Sequence, residues 1–157
     1  MTNEEFIAQN RQADVHRLAL SKTPEDIDIH FCLQQIAGMQ AAERKLPSWA
    51  NREGIIFPPK ISMEQCSSEK TALYKQQMVE RLLPENRHNM ADLTGGFGID
   101  FSYLAQLFDE ADYVERNEQL CEIARHNFGI LGLPKATVHN KTCEDFIDEM
   151  GNYCLIY

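Results

Sequence analysis

No stretch of this chain is apolar over anything near the ~20 residues a membrane-crossing helix needs. Residues 1–12 are polar and acidic and lack the basic start and apolar middle of a secretion signal. No membrane association is expected, and the cytosol is the expected address. Cysteine is sparse and dispersed: Cys32, Cys66, Cys121, Cys143 and Cys154 are odd in number and contain no C-x-x-C pair. That excludes a disulfide framework and a cysteine zinc site. The five histidines (His16, His30, His88, His126, His139) show no ligand spacing, so no metal is expected. Basic residues are scarce in the second half. Residues 1–90 carry 11 Lys+Arg against 12 Asp+Glu, whereas residues 91–157 carry 4 against 12. A wholly basic nucleic-acid-binding face is therefore excluded, because neutralising phosphates needs cations. A local patch of Arg44, Lys45, Arg52 and Lys60 near Trp49 and Phe57 is left. It reads either as a stacking surface for a nucleic acid or, more simply, as core aromatics with a solvated fringe.

What is present is enough for a packed core. The 157 residues are 43% apolar, within the length range of one domain. The first half reads as helices. Thr2-Asn3-Glu4-Glu5 is a capping-box signal that opens a segment with Phe6, Val15, Leu18 and Leu20 loosely on one face. Thr23-Pro24-Glu25-Asp26 is a second start signal, with proline at the first helical position. The segment with Ile29, Leu33, Ile36, Ala37 and Gln40 at helical spacing must end near Leu46-Pro47. Residues 47–61 read as an ordered loop with an apolar middle. A third helix starts at Ser67 or Ser68 and runs to Leu82. Residues 1–86 are thus expected to form a helical N-terminal region.

From Asn89 the rhythm changes to alternating strand and helix. The strands are Met90–Leu93, Tyr113–Glu115, Ala136–His139 and Tyr153–Tyr157. The helices are Ile99–Phe108, Glu118–Leu131 and Glu144–Met150. That alternation predicts an α/β class, with residues 87–157 forming an incomplete Rossmann-like parallel sheet of four strands. The apolar ending Cys154-Leu155-Ile156-Tyr157 suggests the front portion of a longer protein.

The chemistry gathers at Asp92-Leu93-Thr94-Gly95-Gly96-Phe97-Gly98, where a strand passes directly into a helix. Glycines there permit positive φ and close approach of a ligand to the backbone. Glu115, at the end of the next strand, is placed to accept both hydroxyls of a ribose. A third glycine of the dinucleotide fingerprint would fall at Phe101, which disfavours an NAD-linked oxidoreductase. Ile99-Asp100 stands where a phosphate-cradling loop needs lysine. Asp92 and Asp100 suit a ligand carrying an amine. Such a ligand with a ribose is S-adenosylmethionine.

The glycine loop, together with Tyr113-Val114-Glu115-Arg116-Asn117, resembles the first two motifs of class I S-adenosylmethionine-dependent methyltransferases. Three ordered stretches narrow the likeness: Gln34–Gly38 with Lys45–Trp49, then Ser62–Glu69, then the loop itself. The chain resembles the N-terminal part of bacterial methyltransferases that carry a THUMP-like module at their C-terminus. The resemblance implies S-adenosylmethionine as cofactor, lined by Asp92, Thr94, Gly95, Gly96, Phe97 and Gly98. Glu115, with Arg116 or Asn117, would meet the ribose, and Ser67, Ser68 and Thr71 the methionine carboxylate. Thr94 departs from the family's first glycine. Lys141-Thr142 stands where a Gly-Asp pair meets adenine, with Thr142 or Asp145 as substitutes. The implied activity is methyl transfer to RNA or another nucleobase-containing substrate, with RNA engaged through a module outside this chain. The acceptor motif is expected just after Tyr157, so no residue here is assigned to catalysis. The alternative is a non-catalytic S-adenosylmethionine-binding module. Cys121 and Cys143, near the loop, read as small core residues.

Overall fold

The computed structural model describes residues 1–157. The chain divides into two compact units, Met1–Glu64 and Gln65–Tyr157.

The first unit is helical: α1 (Asn3–Gln9), α2 (Val15–Ala19), α3 (Ile29–Lys45), α4 (Pro47–Ala50) and the greater part of α5 (Lys60–Gln65). The capping box forms as the sequence predicts. Thr2 Oγ1 accepts from the Glu5 amide at 3.2 Å, and Glu5 accepts in return from the Thr2 amide at 2.9 Å. The opening segment is two helices rather than one, because Asp14 caps a fresh start by accepting from the amides of His16 and Arg17. The start signal at Thr23-Pro24 is overridden. Asp28 accepts from the Phe31 amide at 3.0 Å and starts α3 itself. The expected loop 47–61 contains α4 and the beginning of α5. Trp49 and Phe57 are 2% and 3% exposed, so they are core residues and offer no stacking surface.

The motif Gln34–Gly38 has a structural reason. Gln35 exchanges two hydrogen bonds with the Phe57 backbone, at 2.7 and 2.9 Å, and Gln34 adds a third at 2.9 Å. A Cβ at Gly38 would collide with the Phe57 side chain. Lys45 Nζ donates to the carbonyls of Met63 and Glu64 at 2.7 and 3.0 Å. These bonds satisfy buried main-chain groups that no sheet or helix would pair.

The second unit opens with α6 (Glu69–Leu82), capped by Ser68, followed by β1 (Asn89–Asp92), α7 (Ile99–Leu104) and a 3₁₀ turn (Ala105–Leu107). β2 (Glu110–Glu115), α8 (Glu118–Leu131), β3 (Ala136–Asn140), α9 (Cys143–Glu149) and β4 (Leu155–Ile156) complete it. Its sequence pattern groups α6 with the N-terminal helices, but the helix lies against α7 and belongs to this unit. All strands are parallel, in the order β3-β2-β1-β4. On one face Phe101, Tyr113 and Phe128 interlock, with ring centroids 4.9–5.5 Å apart. On the other face Ala91, Val114 and Phe146 form a smaller core. The chain winds outward from β1 to β2 and β3, then returns to place β4 on the far side of β1. Strand order therefore reverses at β1, and the carboxyl end of such a strand is where open α/β sheets form a crevice.

Candidate functional site

The glycine loop leaves β1 at this reversal point. Gly96 and Gly98 have φ of 56° and 85°, conformations that side chains rarely adopt. Gly98 is also the residue from which α7 starts. Beneath the loop lies Tyr113, whose hydroxyl donates to the Gly96 carbonyl. The ring is fully buried, and that burial, followed by the nearby Glu115 charge, raises its phenol far above the usual range.

Two carboxylates stand at the loop's ends. Asp92 is 2% exposed and accepts from the Thr94 amide at 3.0 Å. Burial pushes its carboxyl up to about 7. Asp100 and Glu115 push the same way, and the Thr94 bond and Lys75 oppose them. Glu115, half-buried at the end of β2, accepts from the Gly96 amide at 3.0 Å and from the Asn117 amide at 2.8 Å. The acid of the second strand and the glycine loop of the first thus meet across one crevice. A Cβ built on Gly96 would find only the Thr94 carbonyl oxygen within 4 Å, at 3.8 Å. The space above the loop is open.

No protein-family model matches the chain, and no curated protein does. Solved structures do. A proposed methyltransferase of Porphyromonas gingivalis W83 is similar over 94% of this chain, at 29% identity and a TM-score of 0.71. This chain spans 35% of that protein's length. A proposed O-methyltransferase of Klebsiella pneumoniae matches 96% of this chain and 60% of its own, at 11% identity and TM-score 0.53. A proposed RNA methyltransferase of Pyrococcus horikoshii matches 70% and 54%, at 19% identity and TM-score 0.50. The fold is the Rossmann-like one of methyltransferases.

Within that fold, the predicted residues separate into several roles. Asp92, Gly95, Gly96, Gly98 and Glu115 come together at the crevice. Thr94 is exposed beside them. Phe97 turns its ring into the protein at 3% exposure, so it offers the crevice main chain rather than ring. Arg116 is exposed, while the Asn117 side chain caps α8 by accepting from the Leu120 amide. Ser68 is likewise occupied as the α6 cap and pairs with Thr71 at 2.9 Å. Thr142 caps α9 through the Asp145 amide. Cys121 is buried and donates to the Glu115 carbonyl.

Ser67 joins a cluster that sequence reasoning did not find, with Lys75, Asp100 and Tyr157. Asp100 Oδ2 accepts from Ser67 Oγ at 2.8 Å, from Lys75 Nζ at 2.8 Å and from the Tyr157 hydroxyl at 2.9 Å. Ser68, Thr71 and Lys75 recur at three- and four-residue spacing, and this pattern was the available signal of a polar face on α6. Burial disfavours the Lys75 ammonium, but its bonds to Asp100 and Tyr157 outweigh that and hold it above the usual lysine range.

Proposed function

We propose that this chain binds S-adenosylmethionine in the β1–β2 crevice and forms the cofactor-binding part of a methyltransferase. The observation that carries this reading is the meeting of Glu115 with the Gly96 amide, beside a buried Asp92. A ribose diol donates two hydrogen bonds and would take over the Glu115 carboxylate. The open space above Gly96 accommodates a ligand against bare main chain. Asp92, once ionised, is the charge partner for an ammonium group, supported by Ser67 at the crevice's other rim. Gly95, Gly98 and the main chain of Phe97 shape the loop, and Thr94, Arg116 and Asn117 border it. The cofactor supplies an electrophilic methyl group, whose transfer depends mainly on orienting the acceptor. The likeness to the Porphyromonas protein supports methyl transfer. RNA or another nucleobase-containing substrate is the acceptor class favoured by the ordered motifs shared with methyltransferases bearing a THUMP-like module.

Calorimetric titration with S-adenosylhomocysteine and with NAD tests the reading. The first should bind and the second should not. Glu115→Ala should weaken S-adenosylhomocysteine by about 1–3 kcal/mol, the cost of leaving hydroxyls without a charged acceptor. Preference for NAD, or an affinity that Glu115→Ala leaves unchanged, would contradict it.

A further inference from the structure

The cluster of Ser67, Lys75, Asp100 and Tyr157 connects three elements at the crevice rim. Lys75 Nζ donates to Asp100 at 2.8 Å, to Ser67 Oγ at 3.0 Å and to the Tyr157 hydroxyl at 2.6 Å. It also lies 5.3 Å from the centroid of the Tyr157 ring. All three of its N–H groups are therefore engaged, and the ammonium is fixed between α6, the first turn of α7 and the residue that follows β4. The Asp100 side chain is 17% exposed. One of its oxygens takes all three donors, while the other, Oδ1, is buried and accepts none.

Asp92 feels this cluster. The charges that act on it are Asp100 from α7, Glu115 from β2 and Lys75 from α6, together with the Thr94 amide of the loop. Two carboxylates thus oppose its ionisation and one ammonium favours it. We infer that Lys75 is a positioning residue: by neutralising Asp100 it keeps Asp92 available as an anion and so sets the pH range over which the crevice holds a ligand's ammonium group. The inference rests on the S-adenosylmethionine reading above. Without Lys75, Asp92 faces two anions and no counter-charge, and it ionises at higher pH. Without the Asp100 charge, the ammonium acts on Asp92 unopposed, and ionisation moves to lower pH. The two members of one ion pair therefore shift the same titration in opposite directions, which loss of structure alone does not do.

The experiment is calorimetric titration of the full chain with S-adenosylhomocysteine from about pH 5.5 to about pH 9, spanning the ordinary and displaced carboxyl ranges. 5′-Methylthioadenosine, which lacks the amine, is the control. In the wild type, S-adenosylhomocysteine affinity rises with pH through the Asp92 transition, while 5′-methylthioadenosine affinity stays flat. Lys75→Met moves the midpoint up by about one pH unit, the scale of removing a nearby opposite charge. Lys75→Arg restores the midpoint, and Asp100→Asn moves it down. Should Lys75→Met fail to bind the control and prove unfolded, the downward shift in Asp100→Asn decides alone. An affinity lowered by the same factor at every pH, or midpoints that do not move, would overturn the role of Lys75 and leave the cofactor reading standing. A wild type that binds neither ligand would overturn both.

Discussion

Asp92 is a carboxyl group placed where folding alone would not favour it. Burial holds its proton in the native state up to about pH 7, while an exposed aspartate loses its proton near 3.8. The folded chain therefore binds more protons than the unfolded chain between those values, and stability from this group falls as pH rises through that window. Asp92→Asn keeps an acceptor for the Thr94 amide and removes the charge. At pH 8 it should stabilise the unliganded chain by about 2 kcal/mol or more, since each unit of displacement corresponds to about 1.4 kcal/mol. At pH 5 the gain should be much smaller. The same variant should bind S-adenosylhomocysteine more weakly. Denaturant unfolding at the two pH values checks the first part, and a loss of stability at both would contradict it. A residue that destabilises the empty fold is one whose retention points to a ligand.

At the scale of elements, the glycine loop makes two separate demands. A Cβ on Gly95 would collide with the Tyr113 ring, whereas a Cβ on Gly96 meets open space but must tolerate a φ of 56°. Gly95→Ala should therefore cost about 1–3 kcal/mol of stability, as overpacking does, and should disturb the loop from below. Gly96→Ala should cost about 1 kcal/mol through backbone strain and mainly reduce ligand affinity by filling the crevice. Equal effects of the two on stability and binding, read by denaturant unfolding and calorimetry, would contradict this division. The loop and its flanking elements were legible in the sequence because strand and helix periods alternate sharply there. The expected helix Glu118–Leu131 was found with those bounds. In the first unit, short-range signals competed. Asp14 and Asp28 proved stronger starts than the run of apolar residues or Thr23-Pro24. α4 has no side-chain cap, so no local signal could have announced it.

Across the whole molecule, the sheet order β3-β2-β1-β4 brings the useful groups together. Asp92 and Glu115 were legible as a pair because both sit at strand ends, and parallel neighbours in register carry their ends to one side: Asp92 lies opposite Tyr113, two residues before Glu115. Lys75 and Tyr157 were not legible as partners. Their meeting depends on β4 crossing to the far side of β1 and on which face α6 presents to α7, and neither follows from local spacing. The helical unit, built on Gln35, Phe57 and Trp49, is a core in its own right, and its basic residues surround buried rather than exposed aromatics.

The central claim is that one crevice between the glycine loop and the end of β2 takes an adenosyl ligand. Amide proton–nitrogen spectra of the full chain, titrated with S-adenosylhomocysteine, test it residue by residue. The largest shifts should fall on Gly96, whose amide gives up its Glu115 partner, and on Gly98 and Asn117. An unchanged spectrum at saturating ligand, or shifts confined to residues 1–64, would contradict the account.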